Sequence, residues 1–209
     1  MKTDKILVID YNVGNHQSVA NALNFLGYDV IVSNKEKEIA EARAYILPGV
    51  GAFGEAMRHL HQLKIIEPLQ EQVLVKKKPL LGICLGMQVL AEDSEEDTSY
   101  KGLGWIEGHI VKFKIKGDLR VPHVGWNSIQ ILKKDPLFKR IEENINFYFD
   151  HSYYFICDAS YVTSICFYGT HIVASVQKEN IFGIQFHPEK SQNNGLKLLR
   201  GFLNYCNNI

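Results

Sequence analysis

Short apolar runs alternate with amphipathic stretches over the first half of the chain. Three runs of consecutive, often β-branched residues are typical of strands covered on both faces of a parallel sheet, and they span residues 5–10, 28–32 and 44–47. Val19, Leu23 and Leu26 recur at helical spacing until Gly27 offers a stop. The charged segment 35–43 is typical of a short solvated helix. The pattern therefore predicts a β-α-β-α-β order.

A fourth apolar run ends in a tight turn around a cysteine. A helical stretch over residues 65–77 precedes the run at 79–88, which contains Gly82-x-Cys84-x-Gly86 before helix-forming residues. This spacing is that of a nucleophile elbow, with cysteine in the position of serine. Glycines leave out side chains where a strand-to-helix turn would clash, and the N–H groups of the following helix favour a thiolate. Cys84 is therefore the candidate nucleophile.

The second half of the chain has a different texture. Period-two and apolar runs predict mostly antiparallel strands over residues 110–115, 127–132, 147–149, 164–167 and 171–177. A last strand is expected over residues 181–186, followed by a closing helix. Since no linker, repeat or low-complexity tract divides the chain, residues 1–209 are predicted to form a single α/β domain.

Composition narrows the class of function. With 46% hydrophobic and 22% charged residues, the chain is typical of a soluble globular protein. Lys+Arg and Asp+Glu both total 23, so no net charge favours nucleic acid or an anionic membrane as a partner. The four cysteines lack C-x-x-C spacing, and without a signal-peptide pattern or bilayer-length apolar run we expect a cytoplasmic protein. The sequence contains no evident metal cluster or phosphate-binding glycine motif, so no cofactor is expected.

A base for the cysteine is expected at the end of the last strand. His187 leaves that strand, Pro188 cannot continue the ladder, and Glu189 can return to the other imidazole nitrogen. A cysteine nucleophile needs such a base, and the base needs an orienting group. Cys84, His187 and Glu189 therefore form a candidate catalytic triad.

Attack on a carbonyl creates an oxyanion, which backbone N–H groups stabilise well. The candidates are the N–H of Leu85, directly after the nucleophile, and the N–H of Val50. Val50 lies in the loop 48–51, whose glycines allow a backbone N–H to be aimed outward beside the elbow.

These motifs together resemble a known family. The residues match the class I (triad) glutamine amidotransferases, and more narrowly the glutaminase subunits of imidazole glycerol phosphate synthase. The motifs are DYxxGN at 10–15, PGVG at 48–51, GICLGMQ at 82–88, PHVGWN at 122–127, FxHSY at 149–153 and FHPEKS at 186–191. The resemblance covers nearly the whole chain and implies a three-layer, flavodoxin-like fold, with a central mostly parallel sheet and an antiparallel extension.

The resemblance also implies a reaction. Glutamine would be hydrolysed to glutamate through a thioester on Cys84, with His187 as base and then acid. The ammonia would pass to a separate (β/α)8 cyclase subunit in a heterodimer. The cyclase would make imidazole glycerol phosphate and aminoimidazole carboxamide ribotide in histidine biosynthesis.

The resemblance further implies two groups of binding residues. The residues expected near the bound glutamine are Gly51, Gln88, Glu96, Ser152 and Tyr153. Those expected to meet the cyclase or line the ammonia passage are Asn12, Asn15, His123, Trp126, Asn127, Tyr148 and Lys190. One departure is Asp150, which stands where the family pattern has a small apolar residue.

Three other interpretations fit parts of the sequence. A paralogous glutaminase subunit could supply ammonia for amidation of a surface-polysaccharide sugar, since both reactions begin with glutamine. A partner-independent Cys-His-Glu γ-glutamyl hydrolase would not need the loop 122–127. A non-catalytic regulatory subunit would be expected to lose at least one of Cys84, His187 and Glu189, and all three are present.

Overall fold

The computed structural model describes residues 5–114, 119–134, 136–141 and 145–208. The strands are β1 (Ile6–Ile9), β2 (Val30–Ser33), β3 (Ala44–Gly49), β4 (Leu80–Cys84), β5 (Asp93–Ser94), β6 (Gly108–Lys112), β7 (His123–Ile131), β8 (Ile145–His151), β9 (Tyr153–Cys157), β10 (Val162–Phe167), β11 (His171–Lys178) and β12 (Ile181–Ile184). The helices are α1 (His16–Phe25), α2 (Glu36–Glu41), α3 (Phe53–Gln62), α4 (Ile66–Gln70), α5 (Leu85–Gln88) and α6 (Gln192–Asn207). A π-helical turn at Glu71–Val75 extends α4, and Pro188–Lys190 form a 3-10 turn.

Nine strands in the described part of the chain form one sheet, in the order β2-β1-β3-β4-β12-β11-β10-β7-β8. The pairings from β2 to β12 are parallel and have the strand order of flavodoxin-like sheets. The pairings from β12 to β8 are antiparallel. The predicted parallel sheet with an antiparallel extension is therefore confirmed.

The sheet separates two hydrophobic cores. In β1, Ile6 and Val8 face the core formed with α1 and α6, whereas Leu7 and Ile9 face the core formed with α2 to α5. The small sheet β5-β6-β9 adds apolar side chains to the second core. Because side chains alternate across a strand, one strand serves both cores, and this produces the predicted three layers.

Some elements differ from the sequence predictions. The helix expected over residues 65–77 spans α4 and its π-helical turn, and the helix after the elbow, α5, is a single turn. Helix α3 was not among the predicted elements, although its buried residues follow helical spacing at Phe53, Ala56, Met57 and Leu60. The strand expected over 110–115 ends at Lys112, and residue 115 lies outside the described residues.

No helix in the described ranges is long and apolar enough to cross a membrane.

The elements that position the candidate site are β3, β4 and β12, which lie side by side in parallel. Their carboxyl ends therefore meet at one edge of the sheet, where ligands of open α/β sheets bind.

Candidate active site

Cys84 ends β4 in a conformation that few residues other than glycine adopt. Its φ is 53° and its ψ is −110°. A Cβ on Gly82 would lie 2.5 Å from the carbonyl oxygen of Gly86, and a Cβ on Gly86 would lie 1.7 Å from the carbonyl oxygen of Leu47. Any side chain at these two positions would displace the backbone. The glycines therefore allow the strained turn that holds Cys84 at the sheet edge.

His187 and Glu189 lie beside Cys84. The Nδ1 atom of His187 is 2.8 Å from Oε1 of Glu189, and both side chains are 2% exposed. His187 also makes a side-chain hydrogen bond with Cys84. Since Nδ1 faces the carboxylate, Nε2 faces the sulfur. The geometry is that of a cysteine, a base and an orienting acid in sequence.

The protonation state of His187 follows from its partners. Burial lowers the pKa of His187, but the hydrogen bonds to Cys84 and Glu189 and the negative charges of both residues outweigh burial and raise the pKa to about 10. His187 is therefore an imidazolium at neutral pH. An imidazolium between a carboxylate and a sulfur can give its proton to a leaving group.

The backbone of His187 is fixed to β8 from two sides. Its N–H donates to the carbonyl oxygen of Tyr148 at 2.8 Å. The Ser191 hydroxyl donates to the carbonyl oxygen of His187 at 2.6 Å and accepts the Tyr148 N–H at 3.0 Å. Ser191 is fully buried. These bonds anchor the imidazole to the antiparallel half of the sheet, so the site depends on both halves.

A cleft of about 230 Å³ opens beside the sulfur. It brings together both predicted oxyanion donors and all five predicted glutamine-contacting residues. Its lining comprises Val50, Gly51, Cys84, Leu85, Gln88, Glu96, Pro122, Asp150, His151, Ser152 and Tyr153. The lining residues come from five separate segments of the chain, and only the tertiary fold assembles them.

Two polar side chains of the cleft are held by the backbone. The Nε2 atom of Gln88 donates to the carbonyl oxygen of Tyr153 at 3.0 Å. Oε2 of Glu96 accepts the N–H of Phe53 at 2.8 Å, at the start of α3. Glu96, which the sequence pattern alone would assign to solvent, thus lies at the helix that follows the glycine loop.

Asp150, the departure from the family pattern, lies at this cleft. Its backbone carbonyl oxygen lies 3.8 Å from the Cys84 sulfur, and its side chain is exposed. The added carboxylate therefore faces solvent at the cleft and does not join the residues behind Cys84.

Three of the residues predicted to meet a partner form one surface cluster. Trp126 lies opposite Tyr148 in the β7–β8 register, with ring centroids 6.3 Å apart. Nζ of Lys190 lies 5.3 Å from the centre of the Tyr148 ring. Trp126 is 48% exposed, which suits an interface anchor. The cluster adjoins the turn that carries Glu189.

The predicted partner-facing asparagines near the N-terminus lie in the loop after β1. Asn12 is exposed and has a φ of 63°. The Asn15 side chain accepts the Ser18 N–H at 3.3 Å and caps α1. Both residues lie at the carboxyl edge of the sheet, close to the glycine loop.

The remaining two predicted partner residues, His123 and Asn127, are linked to each other. His123 is only 2% exposed and stacks between Phe149 and Tyr168, because alternation along β7 turns it inward. Nδ2 of Asn127 is 3.2 Å from Nε2 of His123, and Asn127 is half-buried. His123 therefore lies behind the surface on which it was expected.

Gln185 is a site residue that the sequence analysis does not single out. It is fully buried at the end of β12, and its Nε2 lies 3.6 Å from the Cys84 sulfur. The sequence contained one signal for Gln185: it is the only amide in the apolar run 181–186. A polar side chain buried in such a run needs a hydrogen-bond partner. The position of that partner was not evident from the sequence.

The chain is similar in sequence to known proteins over nearly its whole length. Residues 7–205 match the family model of glutamine amidotransferase class-I. The chain is 51% identical to imidazole glycerol phosphate synthase subunit HisH 2 of Vibrio vulnificus (strain YJ016), over 96% of this chain and 94% of that protein. It is 50% identical to subunit HisH 1 of Campylobacter jejuni subsp. jejuni serotype O:23/36 (strain 81-176), over 94% of this chain and 98% of that protein.

Solved structures share the architecture at much lower sequence identity. The chain superimposes on a chain of PurLQS from Thermotoga maritima with a TM-score of 0.75 and 21% identity, covering 98% of this chain and 99% of that chain. This similarity supports the three-layer fold, and the sequence similarity supports a narrower grouping. The chain belongs to the class-I glutamine amidotransferase family, and within it to the imidazole glycerol phosphate synthase subunits HisH.

Proposed function

We propose that this chain is the cytoplasmic glutaminase subunit of imidazole glycerol phosphate synthase, with residues 1–209 acting as one domain. It hydrolyses glutamine to glutamate and ammonia and passes the ammonia to a (β/α)8 cyclase subunit. The cyclase then makes imidazole glycerol phosphate and aminoimidazole carboxamide ribotide in histidine biosynthesis. The observation that carries the proposal is the alignment of Cys84, His187 and Glu189 beside the cleft.

The resemblance implies His187 as a base first, but because His187 already holds its proton as an imidazolium, the first half of the reaction uses it as an acid. The Cys84 sulfur attacks the carboxamide carbon of glutamine, and the carbonyl electron pair moves to the oxygen. The N–H groups of Val50 and Leu85 stabilise this oxyanion. The imidazolium then gives its proton to the amide nitrogen, the carbon–nitrogen bond breaks, and ammonia leaves. A thioester on Cys84 remains.

The second half uses the same imidazole as a base. Neutral His187 takes a proton from water, the resulting hydroxide attacks the thioester, and the carbon–sulfur bond breaks. The product leaves as the γ-carboxylic acid, which loses its proton to solvent to give glutamate, and the thiolate and imidazolium are restored. Glu189 stabilises the charged imidazole in the resting and final states. His187 therefore gives up one proton and takes one back in each cycle.

Substrate recognition is assigned to the polar residues of the cleft. Glu96 supplies negative charge for the α-ammonium group, while Gln88, Gly51 and the backbone of Ser152 and Tyr153 hold the rest of the amino acid. The Trp126–Tyr148–Lys190 cluster, together with Asn12, Asn15 and Asn127, is assigned to docking on the cyclase.

The proposal is tested by measuring glutamate release from glutamine by the purified chain. The chain is assayed alone, and then with the histidine-pathway cyclase of the same organism and its phosphoribulosyl-formimino-carboxamide nucleotide. We expect slow release alone and a strong increase with the complex, since hydrolysis without an acceptor wastes glutamine. Cys84→Ser should abolish release in both conditions.

A matched control is Cys166→Ser, which changes a buried cysteine away from the cleft. This variant should retain the activity of the wild-type protein. If the lone chain is already fast and the cyclase adds nothing, a partner-independent hydrolase is the better explanation. If Cys84→Ser retains activity, the assigned nucleophile is wrong.

A second candidate function is supported by the names of the relatives. The Vibrio protein is numbered 2 and the Campylobacter protein is numbered 1, so each belongs to a numbered set of such subunits. An additional copy could supply ammonia for amidation of a surface-polysaccharide sugar. This alternative predicts no activation by the histidine-pathway cyclase, combined with activation by a different amidotransferase partner.

A further inference from the structure

A buried amide lies against the proposed nucleophile. Gln185 uses both ends of its side chain: Nε2 donates to the Cys84 sulfur at 3.6 Å, and Oε1 accepts Nε2 of Gln88 at 3.0 Å. Gln185 is 0% exposed, so water does not compete for these bonds. An N–H aimed at sulfur stabilises the thiolate relative to the thiol, because the charged form is the stronger acceptor.

The orientation of this amide follows from a backbone carbonyl. The carbonyl oxygen of Tyr153 can only accept, so Gln88 must turn its Nε2 toward it. The same Nε2 then offers its second hydrogen to Gln185, which must present Oε1. The remaining end of Gln185, its Nε2, therefore faces Cys84 as a donor.

The same carbonyl orders two histidines on its other side. Nδ1 of His151 lies 2.8 Å from the Tyr153 oxygen, so Nδ1 must carry the hydrogen. In a neutral ring Nε2 is then an acceptor, and it faces Nδ1 of His123 at 3.0 Å. His123 Nδ1 therefore carries a hydrogen, and its Nε2 accepts from Asn127 at 3.2 Å.

Asn127, at the outer end of this series of hydrogen bonds, independently requires the same tautomers of His123 and His151. Oδ1 of Asn127 accepts the backbone N–H of Ser128 at 2.8 Å, and Nδ2 donates to the carbonyl oxygen of Phe167 at 3.0 Å. Asn127 must therefore face His123 with its Nδ2. Burial also lowers the pKa of His123 to about 4 and that of His151 to about 3, so both rings are neutral at physiological pH.

We propose that Gln185 is a further catalytic residue that donates an N–H to the Cys84 thiolate, and that His123 and His151 are positioning residues. The two histidines fix the Tyr153 carbonyl, which in turn orients Gln88 and Gln185. The proposal rests on the proposed glutaminase function and deepens it. It assigns a function to His123 inside the protein, behind the surface where a partner contact was expected.

Alkylation of Cys84 by iodoacetamide tests the role of Gln185 without requiring glutamine. In the full chain, Gln185→Met removes the donor while preserving the length and most of the volume of the side chain. We expect the pH midpoint of the Cys84 alkylation rate to rise by about one to two pH units, so that the rate near the wild-type midpoint falls, which is the range for a hydrogen bond to a charged group. Peptide mass spectrometry identifies alkylation at Cys84 separately from Cys157, Cys166 and Cys206.

Gln72→Met is the matched control, because Gln72 is another buried glutamine, 4% exposed and outside the cleft lining. In Gln72→Met, iodoacetamide should alkylate Cys84 at the wild-type rate. A folded Gln185→Met variant that reacts as fast as the wild type would overturn the role of Gln185. If Gln185→Met does not fold, Gln185→Asn gives the same test, because it retains an amide but draws its N–H away from the sulfur.

The histidine chain is tested by the split between KM and kcat for glutamine, measured with the cyclase complex. His123→Phe preserves stacking between Phe149 and Tyr168 but frees the tautomer of His151, so the Tyr153 carbonyl loses its fixed donor. We expect KM to rise about threefold to tenfold while kcat changes less. His123→Asn retains a donor near the Nδ1 position and should recover most of the loss.

Equal effects of His123→Phe and His123→Asn would show that packing alone matters and would overturn the positioning role. The two levels of the proposal also fail separately. If no variant or complex hydrolyses glutamine, the proposed function is wrong, whereas slowed alkylation of Gln185→Met would still support the donor to Cys84.

Discussion

Two buried histidines, His187 and His151, lie beside the same cleft, and their imidazoles are in opposite protonation states at neutral pH. His187, in the turn after β12, is 1% exposed and has its pKa raised to about 10. His151, at the end of β8, is 5% exposed and has its pKa lowered to about 3. The charge of His187 itself contributes to the lowered pKa of His151.

The partners of the two imidazoles explain the difference. Burial lowers the pKa of each histidine, but His187 also faces the Glu189 carboxylate and the Cys84 sulfur, which stabilise the imidazolium. His151 faces a backbone carbonyl and a neutral histidine, and these partners do not offset its burial. Burial therefore does not determine the role of a histidine, because the charge of its neighbours decides whether it holds a proton or a fixed hydrogen bond.

The largest effect on activity is expected when the His187 imidazolium loses the carboxylate of Glu189. Glu189→Gln removes the negative charge that stabilises the His187 imidazolium and weakens control of its tautomer. We expect kcat for glutamine hydrolysis with the cyclase to fall about 10³-fold, with a small change in KM. Glu179→Gln, which alters an exposed ion pair with Lys77, is the control and should retain activity. Activity of Glu189→Gln above about a tenth of wild type would contradict the assigned role.

The second prediction separates the two partners of His187. Cys84→Ala removes the hydrogen bond and the charge of the sulfur, while Glu189 and burial remain. The pKa of His187 should therefore fall from about 10, which NMR of the imidazole resonances can follow. Cys166→Ala changes a buried cysteine outside the cleft lining and should leave the titration unchanged. An unchanged midpoint in Cys84→Ala would show that the sulfur does not stabilise the imidazolium.

A smaller effect is expected on the free energy of unfolding at low pH, and it comes from the two neutral histidines His123 and His151. The folded pKa of His123 is about 4 and that of His151 about 3, both below the ordinary value of 6.5. Below pH 6.5 the unfolded chain therefore binds protons that the folded chain does not, and the free energy of unfolding falls as the pH drops toward 4. His123→Phe should reduce this loss by about 2 kcal/mol.

Urea unfolding at pH 7 and pH 4.5 measures this difference. His171→Gln is the control, because His171 is exposed on β11, and it should show the same acid loss as the wild-type protein. An acid loss in His123→Phe equal to that of the wild type would mean that the buried pair does not resist protonation.

The fold was predictable where the signal was local. The buried strands β1, β3 and β4 were recognisable as apolar runs, whereas the flavodoxin-like sheet was implied by the family resemblance. Helix α3 was missed although its pattern was present, and the β5-β6-β9 sheet was not anticipated, because its short strands pair with distant partners. Pairing between distant segments depends on the whole fold and leaves little trace in any one window.

The sequence by itself determined the turn around Cys84 and the turn that carries His187, Pro188 and Glu189. Gly82 is required by backbone sterics within one turn, and the Pro188 turn brings Glu189 to the imidazole of His187, so local geometry was sufficient for both. Gly86 is required by the carbonyl oxygen of Leu47 on the neighbouring strand β3. Only the tertiary structure decided the contacts around Tyr153. His123 meets His151 through the β7–β8 register, and Gln185 reaches Gln88 between neighbouring elements of the sheet edge. Such hydrogen bonds require side chains distant in sequence to be brought within about 3 Å, which only the packed fold achieves.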